Sequence, residues 1–436
     1  MANAANLVNF GSGGLAVGDW TYSAYPLSAP SYLPLNDDTA SYLTSSYPAL
    51  GAIYAPTTIA YAANSKSLPF LGQLTTAYPW NFLFGNKTFF GWTTVGNLIV
   101  STDLTTWYKR AIPNIPTVEG ASSTGATATM FNPPSQANPV WAAAAYGGGK
   151  LSVLRKGVSL STGANSKSGV GNGAAMSQDN GATWQFASTP VVTNNSVVSS
   201  VLWTSIIYAQ GAFAAYGYQN EAGSGNWGVF ATSSDGLNYT VKAGGFYSRG
   251  IFAQVATALG YGNGIYAAFI AQTTTLFISS DNGINWFGQN TNNIWASSVA
   301  YGAGVFVAVG TDTTGVATNI ANSSPDGLTW TQRSLPATQT WTSVTYANGY
   351  FVAIGTTGAA STVVATSPDG LTWTSRTVPS STNRYGVAGG NGKFVYQNDV
   401  TAQTITQIDL STSSTSFTPP MITTPPAGTQ AYIKAT

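Results

Sequence analysis

An eight-residue turn recurs along this chain at a nearly fixed interval, and a sequence that repeats one turn so often must fold by setting copies of one small unit side by side. The reference copy is Ser323-Ser324-Pro325-Asp326-Gly327-Leu328-Thr329-Trp330. It returns around Asp369-Gly370-Leu371-Thr372-Trp373, Asp281-Asn282-Gly283-Ile284-Asn285-Trp286, Asp179-Asn180-Gly181-Ala182-Thr183-Trp184, Asp235-Gly236-Leu237-Asn238-Tyr239 and, more loosely, Asp103-Leu104-Thr105-Thr106-Trp107. In each copy the Asp carboxylate can accept local backbone N–H bonds, Gly supplies a positive φ, and the closing aromatic starts a returning strand.

A second pattern lies upstream of each turn and reads aromatic, small, Asn or Gly, Gly, any residue, aromatic. It is another hairpin signal. Tyr261-Gly262-Asn263-Gly264-Ile265-Tyr266, Tyr301-Gly302-Ala303-Gly304-Val305-Phe306 and Tyr346-Ala347-Asn348-Gly349-Tyr350-Phe351 are clear copies. Looser ones begin at Phe84, Tyr146, Tyr208 and Gly389, which makes seven. The last is followed only by Asp409 and Ser416-Phe417, where a decayed octet belongs. The octet aromatics Trp107, Trp184, Tyr239, Trp286, Trp330 and Trp373, with Phe417, stand 77, 55, 47, 44, 43 and 44 residues apart. That interval suits a four-stranded unit with insertions in the early copies.

The octet resembles the Asp box, or BNR repeat, of sialidases and many other β-propellers. In that family the box joins the third and fourth strands of a blade at its periphery. The resemblance implies an all-β, seven-bladed β-propeller over residues 76–418, with a small N-terminal region over 1–75 and an extended tail over 419–436. Asp103, Asp179, Asp235, Asp281, Asp326 and Asp369 are expected to hold turns. Calcium is the other use of such residues, but it needs oxygens from several positions and one Asp per turn does not supply them. No metal and no cofactor are expected.

The ends of the chain carry a different resemblance. Tyr32-Leu33-Pro34-Leu35-Asn36-Asp37-Asp38, Tyr42-Leu43 and Tyr47-Pro48-Ala49-Leu50 resemble a segment of tailed-bacteriophage tail-collar and tail-fibre proteins over about two dozen residues. The Pro-rich stretch 418–429 leading into Gln430-Ala431-Tyr432-Ile433-Lys434-Ala435 is similar to the C-terminal end of phage tail-fibre proteins. The alternative for both is a cap and a strand that merely staple the ring.

Of 436 residues, 44% are hydrophobic and only 7% charged, with a net charge of +1, so the surface must be a neutral polar coat. No basic stripe is available for nucleic acid. Cysteine and histidine are both absent, which removes disulfides, thiolate chemistry and the commonest general base. Met1 to Leu7 lacks a basic start and an apolar run, so no signal peptide is expected, and no window reaches the length of a membrane span.

Sialidase chemistry would require an aromatic-Arg-Ile-Pro segment near the start, three arginines gripping a carboxylate, and a Tyr-Glu pair. The nearest string, Tyr108-Lys109-Arg110-Ala111-Ile112-Pro113, follows the first box and has an extra residue inside. Arg333 and Arg376 occupy equivalent places after boxes, and only Glu119 and Glu221 could be the glutamate. The expectation is therefore no catalytic residues, with a glycosidase as the enzyme alternative.

Three departures from the repeat, Arg110–Val140, Arg155–Gly173 and Gly217–Gly228, are fourth-to-first or second-to-third connections. Strand alternation brings them to the face opposite the boxes, and loops on a rigid scaffold are where binding resides. They carry Glu119, Arg155, Lys156, Glu221 and Trp227, the candidate ligand-binding set. Three readings follow. The first is a structural or adhesion protein of a tailed-phage virion (tail fibre, spike or head fibre), oligomeric in the particle, bound to other virion proteins and to a host-surface glycan. The second is a carbohydrate-active or carbohydrate-binding bacterial propeller, and the third is an intracellular propeller that binds a protein.

Overall fold

The computed structural model describes residues 20–23, 32–34, 42–43, 59–67, 80–93, 96–112, 141–155, 173–187, 189, 192–194, 197–199, 201–221, 225–242, 256–290, 293–357, 360–399, 404–412, 416–417 and 430–434. Among them every regular element is a strand. The chain divides into two compact units, one of residues 1–61 with 410–436 and the other of residues 62–409.

The larger unit is a β-propeller. Its antiparallel sheets are I (81–111), II (141–187), III (202–241), IV (256–290), V (295–381) and VI (385–412 with Ile59–Ser67). Five are four-stranded and sheet V has seven strands. Separate four-stranded blades thus number five, not the seven expected; two hairpin repeats share sheet V. The reason is the 17-residue strand Thr331–Ala347, which pairs with Thr318–Ser324 through its first half and with Tyr350–Thr356 through its second. This stretch contains no glycine, and its buried Gln339 pairs with Thr318 on one side while donating to Val363 O on the other.

Sheet VI takes its fourth strand from Ile59–Ser67, far upstream in sequence. The expected decayed box does not form. Asp409 lies within the strand Thr404–Thr412, and Phe417 pairs with Tyr42 in the smaller unit.

The innermost strands succeed one another in a closed circle: Asn81–Gly85, Trp141–Gly147, Leu202–Ala209, Ala256–Gly262, Trp295–Gly302, the second half of Thr331–Ala347, Tyr385–Gly390, and again Asn81–Gly85. The aromatic-small-x-Gly pattern explains how they pack. A Cβ on Gly85 would stand 2.1 Å from the Tyr146 ring, one on Gly147 1.9 Å from Tyr208, one on Gly262 2.1 Å from Tyr301, and one on Gly302 2.0 Å from Tyr346. Each small residue is the seat for the leading aromatic of the next repeat. Gly390 receives Phe84 in the same way and closes the circle. Within their own hairpins Tyr208, Tyr261, Tyr301 and Tyr346 also meet the trailing aromatic, as in Tyr301–Phe306 and Tyr346–Phe351 with centroids 4.8 and 4.7 Å apart.

A second tie joins inner strands at their bulges. Register shifts fall between Ala256 and Ala258, Ala296 and Ser298, and Trp341 and Ser343. The hydroxyl of each skipped residue donates to a carbonyl of the next inner strand: Thr257 to Ala296 O at 2.7 Å, Ser297 to Trp341 O at 2.5 Å, and Thr342 to Arg384 O at 3.0 Å.

The Asp boxes join third to fourth strands. Asp326 Oδ1 accepts from Leu328 N at 2.9 Å, Thr329 N at 2.8 Å and Ser324 Oγ at 2.9 Å. Asp369 repeats all three contacts, and the indoles of Trp286 and Trp330 donate to their own box glycine carbonyls at 3.0 Å. Arg333 and Arg376 are equivalent, since each Nε donates to a hydroxyl ten residues earlier, Ser323 and Thr366. The hydrogen bonds hold the box carboxylates below the ordinary range; in Asp179 the Thr183 hydroxyl and N–H lead and bring it to about 2.

Two outcomes follow from this packing. Gly302→Ala forces the Tyr346 ring off its seat and lowers stability by about 1–3 kcal/mol. Gly304→Ala, with open space around it and φ of +79°, costs about 1 kcal/mol of backbone strain alone. Urea denaturation of the two variants compares them directly, and equal losses would show that the seat is dispensable. For the boxes, a depressed native carboxylate stabilises the fold fully above its unfolded value of about 4 and loses that contribution as pH falls through the native value. Thermal stability should therefore drop between about pH 4 and pH 2, and Asp326→Asn should lower it by roughly 1 kcal/mol at pH 7, modest because the turn is solvated, while flattening the acid branch.

Candidate functional site

Strand alternation gives the propeller two unlike faces. The hairpin turns and boxes share one, where they touch: Asn263 Nδ2 donates to Pro325 O, Lys150 Nζ to Ser234 O and Lys393 Nζ to Asp103 O. A depression of about 280 Å³ on this face is lined by Met176, Gln178, Asp179, Thr183 and Gln185. Its carboxylate is engaged by Ser177 and Thr183, so the depression adds no free acid for chemistry. Asp312, which lies outside the boxes, holds the turn before Thr318–Ser324 by accepting from Thr314 N and Val316 N at 2.8 Å each.

The opposite face holds the ends of the second strands and the starts of the inner ones. Of the candidate residues, Glu119 and Lys156 lie outside the described residues. Arg155 ends the strand Lys150–Arg155 in sheet II, and its N–H donates to Gly173 O at 2.9 Å, which draws the two ends of the Arg155–Gly173 connection together. The connection Gly217–Gly228 is largely not a loop: Ala212–Glu221 and Gly225–Ser233 run on as a hairpin that pairs Gln219 with Trp227 and Glu221 with Gly225. An uninterrupted alternation of bonded pairs is sufficient to extend the strands there. Arg155 and the Glu221–Trp227 hairpin thus belong to neighbouring sheets on this face.

Arg155 is 1% exposed, whereas the sequence suggested an open polar cluster. Burial lowers its pKa, but a guanidinium keeps its proton in proteins. Arg384 is equally buried and is the residue that sequence reasoning passed over. It stands where Trp341 and Ala296 stand in their own repeats, since its carbonyl receives Thr342 as theirs receive Ser297 and Thr257. Its Nη1 donates to Gly355 O at 2.9 Å and its Nη2 to Ser361 O. The indole of Trp341 reaches the same part of its preceding repeat, Thr318 O at 2.9 Å. The signal available in sequence was an arginine in the Trp341 register. Burial raises the nearby Tyr396 phenol, and the Arg384 charge partly offsets it.

Among the described residues no three acidic side chains gather as a metal site would require. This face thus carries two buried arginines, Arg155 and Arg384, next to the roots of connections.

No family model and no curated protein matches the chain. Solved structures match its fold. YCF48 bound to D1 peptide shares 12% identity at a TM-score of 0.51, over 80% of this chain and 97% of that one. YCF48 from Cyanidioschyzon merolae has 12% identity, a TM-score of 0.50 and coverage of 80% and 99%. Trypanosoma rangeli sialidase in complex with the inhibitor DANA has 10% identity, a TM-score of 0.44 and coverage of 72% and 59%. At these identities the likeness is one of fold: the chain is an all-β propeller of the kind these proteins share.

Proposed function

We propose that this chain is a non-enzymatic adhesion or structural protein of a tailed-bacteriophage particle, a tail fibre, spike or head fibre, that presents its propeller to a host-surface glycan or to other virion proteins. The observation that carries this reading is the pairing of the two fibre-like ends. Tyr32–Pro34 and Gln430–Lys434 lie in one three-stranded sheet with Trp20–Ser23, in the register Tyr32 with Lys434 and Leu33 with Ile433. A compact unit built from both end segments is what a display protein needs for attachment. The neutral polar coat agrees with life on a particle surface. Synthesis in the host cytoplasm, no nucleic-acid partner, no membrane insertion and an oligomeric state in the particle belong to the same proposal.

The working surface in this reading is the face opposite the boxes. An antibody against the purified propeller should decorate tailed particles in electron micrographs. Deleting Ser161 to Gly171, and separately Trp227→Ala, should leave the melting temperature near that of the parent while reducing adsorption of particles to host cells about tenfold. Decoration of no particle would sink the virion assignment. Selection of a sugar by the isolated propeller on a glycan array, with release of product from it, would replace it with the carbohydrate-active alternative.

A further inference from the structure

Arg155 occupies a position that three other inner-strand bulges give to glycine and that of sheet IV gives to Ile270. It pairs with Trp141 at the bulge of sheet II, as Gly217 pairs with Trp203, Gly310 with Ala296 and Gly355 with Trp341. A Cβ on those glycines would stand 2.7, 1.9 and 2.8 Å from the inner-strand carbonyls of Leu202, Trp295 and Thr340. In sheet II the longest cationic side chain is accommodated instead. Alternation along Lys150–Arg155 puts it on the side of Leu151 and Val153, which pack with Trp141, Leu98 and Ile112 between sheets I and II.

There, among the described residues, its Nε and Nη1 are buried without a hydrogen-bond partner, and so is the indole Nε1 of Trp141 on the paired residue. Gly96 packs against that indole: a Cβ there would lie 2.9 Å from Ile112 O and 3.2 Å from Trp141 Nε1. Arg384, by contrast, spends its charge on carbonyls. A guanidinium taken out of water with no counter-charge is strongly unfavourable, and it cannot escape by losing its proton.

We infer that the seam between sheets I and II at Arg155 and Trp141 is a binding site for a small oxyanion, which accepts from the unpartnered guanidinium and indole donors. Such an anion would sit at the root of two connections, the one that leaves at Ile112 and returns at Trp141 and the one that leaves at Arg155 and returns at Gly173. The inference rests on sheet geometry and is independent of the adhesion reading.

The test is thermal unfolding of the full chain at constant ionic strength, with chloride exchanged stepwise for phosphate in one series and for acetate in another. The parent should show a saturable rise of about 2–4 °C in at least one series, and the series that responds identifies the class of oxyanion. Arg155→Met keeps the bulk and removes the charge. It should show no such rise and should melt at or above the parent in chloride, because an uncompensated buried charge is gone. A rise that persists in Arg155→Met, or a parent that responds to neither anion, overturns the site. Should Arg155→Met fail to fold, calorimetric titration of phosphate and acetate into the parent decides: saturable heat from either supports the site, and its absence from both overturns it.

Discussion

The propeller depends on one contact repeated around its axis, an aromatic ring laid over a residue without a side chain. Sheets in a propeller have no covalent reason to stay together beyond the connections that pass between them, so their inner faces must interlock. Tyr146 on Gly85, Tyr208 on Gly147, Tyr301 on Gly262, Tyr346 on Gly302 and Phe84 on Gly390 provide that interlock. A tyrosine buries a large apolar area yet keeps a polar tip for the solvent side. The seat must be glycine or nearly so, because the ring approaches closer than any Cβ allows.

The bulge hydroxyls add direction to this contact. Thr257, Ser297 and Thr342 each donate to a carbonyl that the bulge leaves available on the following inner strand, and fix the step from one repeat to the next. The Asp boxes act at the other radius. Their carboxylates close local turns, and their glycines press on the preceding repeat, as Gly283 does on Phe230. One face is thereby filled with structural hydrogen bonds, which leaves the other free to vary.

On that variable face two buried arginines solve the same problem differently. Arg384 stands in the register of Trp341 and satisfies carbonyls of the preceding repeat, which makes it a fastening. Arg155 stands where Gly217, Gly310 and Gly355 stand, and among the described residues its Nε and Nη1 have no acceptor, which is the basis of the proposed anion site. Burial and charge are alike in the two; the availability of carbonyls at the end of a neighbouring strand separates them.

The sequence by itself determined the turns and the class of fold. Asp326-Gly327 and Asn263-Gly264 act through bonds and dihedral preferences within a few residues, so their chemistry is readable without neighbours, and strands between such turns follow from alternation. The tertiary structure decided what depends on residues distant in the chain. Nothing local in Ile59–Ser67 marks it as the outer strand of sheet VI, since it carries neither repeat and its partner lies more than three hundred residues away. Thr331–Ala347 reads as two strands until both neighbours are in place, because only their pairing holds the middle extended. The glycine after Tyr146, Tyr261 and Tyr301 reads as turn chemistry, yet its smallness serves the next repeat. Arg155 reads as an exposed loop cation, yet register with Trp141 buries it, and burial is a property of the assembled sheets that no single stretch of sequence contains.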